Sequence, residues 1–276
     1  MTSRPEFSPI LSRHAIERCA ASIGFAPQLP LKAYERLKAK MTDALVLMGF
    51  TSQKTLQIGF SVGPDGSMTP AAPEGAPVIF LSNSQQVTLQ IGADGVVWTS
   101  TNYVRWQPYI GEFERIVLPL LADYLDLVSI SGVKLEYWDR FIWSGDWDSF
   151  DAKTLIKPGS RLVTQEAAAK RKQWHSHTGW FEQEGPFRRL VNANVEVSEI
   201  VTEPTIPPRP SIGIYTMITD QANVGGYGPI DTSTLDGQFI VDRLENQHLA
   251  LKDILGHIID DNMANRIGLF SRNPKK

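Results

Sequence analysis

The sequence has one cysteine, no long apolar run and no surplus of positive charge, and each absence excludes a class of protein. Cys19 cannot form an internal disulfide, which argues against a disulfide-stapled secreted fold and for a reducing compartment. No apolar run approaches the roughly 20 residues of a membrane-spanning helix, and the N-terminus lacks the apolar core of a secretory signal. We therefore expect a cytoplasmic protein with no membrane contact.

The charge balance excludes a protein whose whole surface binds nucleic acid or anionic lipid. The formal net charge is -3 and the pI is about 6.0, so any contact with phosphates would have to be local. With 42% hydrophobic, 9% aromatic and 21% charged residues, the composition is typical of a folded globular protein. A length of 276 residues fits one large domain or two closely packed halves.

Complete catalytic and nucleotide-binding motifs are also absent from the sequence. There is no G-x-S-x-G elbow and no H-E-x-x-H motif, and the Gly-rich residues 225–228 lack the lysine of a phosphate loop. Asp260 and Asp261 are adjacent on a predicted helix, where neighbouring side chains diverge by about 100 degrees, so they cannot act together as an acid/base dyad. The sequence predicts no catalytic residue and no cofactor.

Strand-like and helix-like patterns predict an α+β fold of mainly antiparallel strands with long amphipathic helices. Gly49 closes the first predicted helix, and residues 93–95 form a predicted hairpin turn. The predicted strands of the first half cover residues 16–25, 55–62, 78–81, 86–91, 96–101 and 131–142, and its helices cover residues 31–48 and 112–127.

The second half has a similar order of elements. Strands are predicted at residues 190–200 and 211–219, and a helical run covers residues 249–267, with a start near Phe239 as the alternative. The prolines at positions 204, 207, 208 and 210 are expected to prevent ladder pairing within their own stretch and to make it a stiff connector between those two strands. Because both halves run from strands into a long helix, we predict two similar halves, residues 1–142 and 143–276, or one compact unit made of both.

A basic and aromatic segment between residues 170 and 189 is the first candidate site. Cations that alternate with rings suit a surface that binds phosphates and stacks on unpaired bases. The alternative is a solvated helix end after Ala169, with the tryptophans packed on a sheet. The candidate nucleic-acid-binding residues are Lys170, Arg171, Lys172, Trp174, His175, His177, Arg188 and Arg189.

His175 and His177 also form an H-x-H pair, which on a strand would place both imidazoles on one face. A metal site needs a third and a fourth ligand, and the spacing nominates none of the other histidines. We therefore predict no metal, and a metal-dependent enzyme is the last of the functional alternatives.

An aromatic, acidic loop after residue 142 is the second candidate site. Its rings suit recognition of a protein partner, whereas the alternative is an ordinary loop packed through those rings. Calcium is disfavoured because the twelfth position from Asp146 is Lys157 rather than glutamate. The candidate partner-binding residues are Trp143, Asp146, Trp147, Asp148 and Phe150.

Four segments carry a resemblance to a known group of proteins. They are LSRHAIERCAASIGF, TSTNYVRWQPYIGEFERIVLPLLADYL, GVKLEYWDRFIW and ENQHLALKDILGHIIDDNMANRIG, and they resemble a sporadically distributed bacterial family of uncharacterised proteins of about this length. The resemblance implies a cytoplasmic α+β protein from mobile or defence-associated gene clusters, with no activity to carry over.

Together these patterns favour a non-catalytic interaction protein of a bacterial system that binds a protein partner, alone or as an oligomer. The first alternative is a nucleic-acid-binding component that uses residues 170–189. The second is a metal-dependent enzyme that uses the H-x-H pair with distant carboxylates.

Overall fold

The computed structural model describes residues 5–11, 13–55, 60–62, 68–70, 75–170, 172–201, 207–223, 231 and 235–270, with the backbone alone between residues 51 and 74. No described helix is both long enough and apolar enough to cross a membrane.

The described strands pair antiparallel, and most of them belong to one large sheet. They are β1 (Phe7–Pro9), β2 (Ile16–Ala26), β3 (Phe50–Thr55), β4 (Phe60–Val62), β5 (Met68–Pro70), β6 (Val78–Ser82), β7 (Val87–Ile91), β8 (Gly95–Ser100), β9 (Ser129–Trp143), β10 (Trp174–Glu184), β11 (Phe187–Ile200) and β12 (Arg209–Gln221). Ten of them form one sheet in the order β10-β11-β12-β9-β2-β8-β7-β6-β3, with β1 paired to the end of β9, while β4 and β5 pair separately. The predicted α+β fold with a mainly antiparallel sheet is therefore confirmed.

The described helices are α1 (Leu31–Leu47), α2 (Trp106–Leu125), α3 (Gln165–Ala168), α4 (Gly237–Ile258) and α5 (Asp261–Arg266), and a 3-10 turn covers Ala152–Thr154. Helix α1 buries Tyr34, Leu37, Met41 and Leu45, a spacing that places them on one face. Gly49 follows it with a φ of +89°, a left-handed conformation that favours glycine and ends the helix.

Buried side chains form two clusters on the helix-bearing face of the sheet, and β9 contributes to both. The first cluster joins β2, β6, β7, β8 and the start of β9 to α1, α2 and α4, and it ends on β9 at Tyr137. The second joins β1, β10, β11 and β12 to α5 and the end of α4, and it begins on β9 at Phe141. Between those two rings, on the same face of β9, lies Asp139.

Several elements differ from the sequence-based predictions. Strand β10 was not predicted, and the predicted strand at residues 55–62 is replaced by β3 and β4, with residues 56–59 outside the described part. Helix α2 begins at Trp106 rather than near residue 112. Pro108 is tolerated in its first turn because backbone N–H groups there have no intrahelical partner, so the missing N–H of proline costs no hydrogen bond. Pro210 does pair in a ladder, opposite Glu199 at the start of β12, where a missing donor is tolerated.

The predicted C-terminal helix over residues 249–267 is broken into α4 and α5. The break lies at Asp260, whose backbone N–H donates to the Leu155 carbonyl at 2.7 Å instead of to a carbonyl of α4. The Asp260 side chain accepts a hydrogen bond from the Met263 N–H at 2.9 Å and so caps α5. The break turns the chain so that the segment after α5 returns along α4, where Phe270 lies against Gly256 and a Cβ would overlap its ring.

Candidate functional site

A small cleft opens where the two clusters meet, between β9, the start of α2, helix α4 and the segment after α5. Its volume is about 100 Å³, smaller than the cavity of about 150 Å³ that accommodates benzene in a protein core. Apolar walls come from Leu255, Ile267 and Leu269. The polar and aromatic side chains that line it are His14, Tyr103, Arg105, Trp106, Asp139, His248 and Lys252.

Asp139 contributes a buried carboxyl group to the cleft. Its residue is 3% exposed, and no described residue donates a hydrogen bond to its side chain. Burial raises the pKa of this carboxyl to about 7, because the charged form loses its hydration without gaining a partner. At neutral pH the group can therefore hold or release a proton.

His14 adds a neutral imidazole from the chain just before β2. Its ring lies edge-on to Tyr103, with centroids 5.6 Å apart, and its buried Nδ1 has no hydrogen-bond partner among the described residues. Burial, and then the charge of Arg105, lowers the pKa of His14, so the ring is neutral at physiological pH.

His248 reaches the cleft from α4 and is held in place by two aromatic residues. Its ring stacks on Trp106 with centroids 4.3 Å apart, and its Nδ1 lies 2.8 Å from the Tyr137 hydroxyl. Burial, and then the charge of Lys252, lowers the pKa of His248 to about 3. Burial also keeps the Tyr137 hydroxyl protonated, so this hydroxyl can donate to Nδ1, and in that tautomer the neutral ring carries an Nε2–H.

Arg105 and Lys252 place two cations beside the same cleft. Neither forms a salt bridge with any described carboxylate, and Arg105 donates only to the Arg13 carbonyl, at 3.2 Å. The nearby Glu245 accepts a hydrogen bond from the Trp106 indole. Burial lowers the pKa of Lys252, Glu245 opposes that effect, and Arg105 adds to it. Arg105 and Lys252 therefore bring positive charge to the lining of the cleft, and Glu245 offsets part of the charge of Lys252.

The first turn of α2 adds to that positive potential. The helix begins at the cleft with Trp106, has no side chain that caps its free N–H groups and carries no acidic residue in its first turn. Its partial positive charge is therefore not compensated locally, which favours an anion nearby.

The predicted nucleic-acid segment is divided between the two faces of the sheet rather than gathered on one. Trp174 is buried in the second cluster. The Arg189 guanidinium is also buried, and it binds both oxygens of the Asp220 carboxylate at 2.7 and 2.9 Å. Neither side chain is placed to contact a nucleic acid. Arg171 lies outside the described residues.

The other residues of that segment lie on or near the edge strand β10. Lys172 is exposed, and Lys170 pairs with Glu166 at 2.6 Å. Arg188, from the neighbouring strand β11, stacks over Phe181 at 4.9 Å. His175 and His177 are exposed on one face, but among the residues whose positions are described no three His, Cys, Asp or Glu side chains could share a metal ion. The Gly-rich residues 225–228 lie outside the described part.

The predicted partner-binding loop is packed largely through its rings. Trp143 and Phe150 are buried against Phe7, with centroid distances of 4.9 and 5.8 Å. Trp147 is half-buried and donates from its indole to Glu199 at 2.6 Å. Asp148 is exposed, as is Asp146, whose carboxylate accepts hydrogen bonds from Ser149.

Sequence reasoning missed the cleft because its residues come from five separate segments of the chain. One signal was present: on β9 the buried positions Leu135, Tyr137 and Phe141 alternate, and Asp139 occupies the same face. An acid at an inward-facing position of an apolar strand is unusual and marks a candidate site.

No protein-family model matches the chain, and no curated protein matches it significantly. The resemblance to a bacterial family therefore stays a prediction.

Proposed function

We propose that this protein binds a compact organic anion in the cleft between β9, α2 and α4. The observation that carries the proposal is the pair of cations, Arg105 and Lys252, which line one cavity and have no carboxylate partner in the described part of the chain. Lys252 is half-buried and Arg105 lies at the exposed rim of the cleft, so an anion bound between them would gain charged hydrogen bonds from both.

Each polar group has a distinct role in this proposal. The Arg105 guanidinium suits two parallel hydrogen bonds to a planar anion, and Lys252 adds a second charge. The His248 Nε2–H is a further donor, while the unpartnered His14 Nδ1 can accept a hydrogen bond from a hydroxyl or amide on the ligand. The Trp106 ring and the apolar walls suit a short hydrocarbon portion.

The proposal is tested by calorimetric titration of the whole protein with small carboxylates and with phosphate at pH 6. We expect Arg105→Gln and Lys252→Gln each to weaken binding by about tenfold or more, because a charged hydrogen bond contributes roughly 1.5–3 kcal/mol. Lys40→Gln is the matched control, since Lys40 pairs with Asp123 at the surface, away from the cleft.

Binding that is equal in all these variants would contradict the assignment of the cleft. If none of the small anions binds to the wild-type protein, the proposed function fails as a whole. The protein partner and the nucleic-acid contact predicted from the sequence stay predictions that this titration does not address.

We also propose that the chain contains two repeats that arose by duplication, with the second repeat beginning at β9 rather than at residue 143. Each repeat contains a strand, a helical segment, a three-stranded meander and a long helix: β2, α1, β6 to β8 and α2 in one, and β9, α3, β10 to β12 and α4 in the other. The first strands of the two repeats, β2 and β9, pair antiparallel near the middle of the sheet, as a pseudo-twofold relation requires.

A further inference from the structure

The surroundings of Asp139 restrict which anion the cleft can take, if the proposed function is correct. On one side the backbone of Asp139 pairs with Ile16 of β2, and on the other with Ile214 of β12, neither of which is titratable. The segment after α5 offers Ile267, Gly268 and Leu269, which carry no charge. Titratable groups face the Asp139 side chain from several elements. They are His14 just before β2, Cys19 on β2, Tyr137 on β9, Tyr103 and Arg105 before α2, and His248 and Lys252 on α4.

None of these groups forms a hydrogen bond or a salt bridge with the Asp139 carboxyl. Both histidines are neutral, and the tyrosines and the buried thiol retain their protons. Arg105 and Lys252 line the cleft without pairing with Asp139. An ionised Asp139 therefore has no direct hydrogen-bond or salt-bridge partner among the described residues, and a bound anion would place a second negative charge in the same small cavity.

A proton resolves this conflict. When Asp139 is protonated it becomes an O–H donor, and an anion held by Arg105 and Lys252 can accept its hydrogen bond. Two carboxyl groups that are forced together share one proton for the same reason, because both cannot be ionised in a small buried site.

We infer that the ligand is a short monocarboxylate, bound together with one proton that lies between its carboxylate and the side chain of Asp139. A cleft of about 100 Å³ accommodates only a few non-hydrogen atoms. A planar carboxylate matches the fork of Arg105 and carries a single negative charge. Phosphate would bring up to two negative charges next to Asp139 and is tetrahedral rather than planar.

The inference predicts proton uptake on binding. Above pH 7 the free protein has an ionised Asp139, so each ligand must bring one proton, and the Kd of propionate should rise about tenfold per pH unit. Below pH 7 the Kd should be nearly constant. Because Lys252 also titrates at a lowered pKa, the series is measured in the wild type and in Lys252→Arg, which stays charged over the whole range.

Asp139→Asn is the decisive variant, because its amide donates a hydrogen bond without a proton equilibrium. We expect it to bind propionate at pH 6 within about tenfold of the wild type and to show a nearly flat Kd between pH 6 and 9. Calorimetry at pH 8 in two buffers of different ionisation enthalpy should give about one proton taken up by the wild type and none by Asp139→Asn. Circular dichroism of the variant verifies that it is folded.

The outcomes separate this inference from the proposed function on which it depends. Propionate binding with a flat Kd in the wild type, or with the same slope in Asp139→Asn, overturns the shared proton but leaves the anion site intact. Tighter binding of phosphate than of any carboxylate, with no proton uptake, overturns the ligand class. Absence of binding by every anion at every pH overturns both proposals.

Discussion

Two buried residues of the cleft link the stability of the fold to pH with opposite signs. Asp139 has a folded pKa of about 7 against an ordinary value of 3.8, so its favourable contribution is complete below pH 3.8 and is lost as pH rises through 7. His248 has a folded pKa of about 3 against 6.5, so its contribution is complete above pH 6.5 and is lost as pH falls towards 3. Between pH 4 and 6.5 the two effects partly cancel.

Replacing Asp139 by asparagine should expose the first of these effects. At pH 8 the wild type has lost up to roughly 4 kcal/mol through ionisation of Asp139, so the variant should unfold at a higher temperature there. At pH 4 this advantage should disappear. Thermal unfolding from pH 4 to 8 measures the difference in Tm between the variant and the wild type. Asp123→Asn, which breaks the surface pair with Lys40, is the control. A constant difference between Asp139→Asn and the wild type over this range would refute the linkage.

His248→Gln should show the opposite trend. At pH 7 the variant loses the stack on Trp106 and is less stable than the wild type. At pH 4 the gap should narrow or reverse, because the unfolded wild type binds a proton at His248 that its folded state excludes. Urea unfolding at both pH values measures this, and a gap that widens at pH 4 would mean that His248 is protonated in the fold.

At the scale of elements, a buried ionic network attaches α4 to β11 and β12. Besides the bidentate pair with Arg189, Asp220 accepts a hydrogen bond from Gln247 at 2.9 Å and lies 3.6 Å from Arg243. The same Gln247 amide donates to the Val133 carbonyl of β9. This network fixes the rotation of α4, and the rotation in turn places His248, the next residue, against the cleft.

We expect Asp220→Asn to destabilise the protein by about 1.5–3 kcal/mol, because the buried Arg189 guanidinium loses its charged hydrogen bonds to Asp220 and keeps Glu184, 3.5 Å away, as its counter-charge. Lys40→Gln, which breaks an exposed ion pair, should change the free energy of unfolding by less than about 1 kcal/mol. Urea unfolding of both variants makes the comparison, and similar losses for the two would show that the Asp220 network contributes little.

Strand patterns predicted several elements, and the exceptions have physical causes. Strands β8 and β11 alternate buried and half-buried side chains, so the period of two was visible in the sequence. Edge strand β10 was missed because one of its faces is exposed along its length and the other face is mostly half-buried in its second half, a pattern that resembles a polar helix or loop. The break between α4 and α5 was missed because it depends on a hydrogen bond to Leu155, about a hundred residues away. The cleft was not predicted for the same reason, because its lining residues come from segments that are distant in the sequence.

At the scale of the whole molecule, the two halves share one of their buried clusters. The first cluster includes Val191 and Ile218 from β11 and β12 and Ile240, Leu244 and Leu251 from α4, although most of it belongs to the first half. The β9–β12 pair also continues the sheet from the first half into the second. Separating the halves would expose apolar surface on both sides, so we expect them to unfold together.

This expectation can be followed with the seven tryptophans, which are distributed over both halves. In protein labelled with 5-fluorotryptophan, the native resonances of Trp98 and Trp106 should disappear at the same urea concentration as those of Trp143 and Trp174. Two separate midpoints would instead establish two units that fold independently and would support a domain boundary near residue 142.

One wall of the cleft is supplied by the segment after α5, which lies outside the sheet and rests on α4 through Phe270 and Gly256. Substitutions there can widen or narrow the cavity without altering strand register, whereas the cations and Asp139 belong to elements that the sheet and the long helices hold in place. In the course of evolution, the size of the accepted molecule can thus diverge at residues 267–270 while the chemistry of its acidic group is retained.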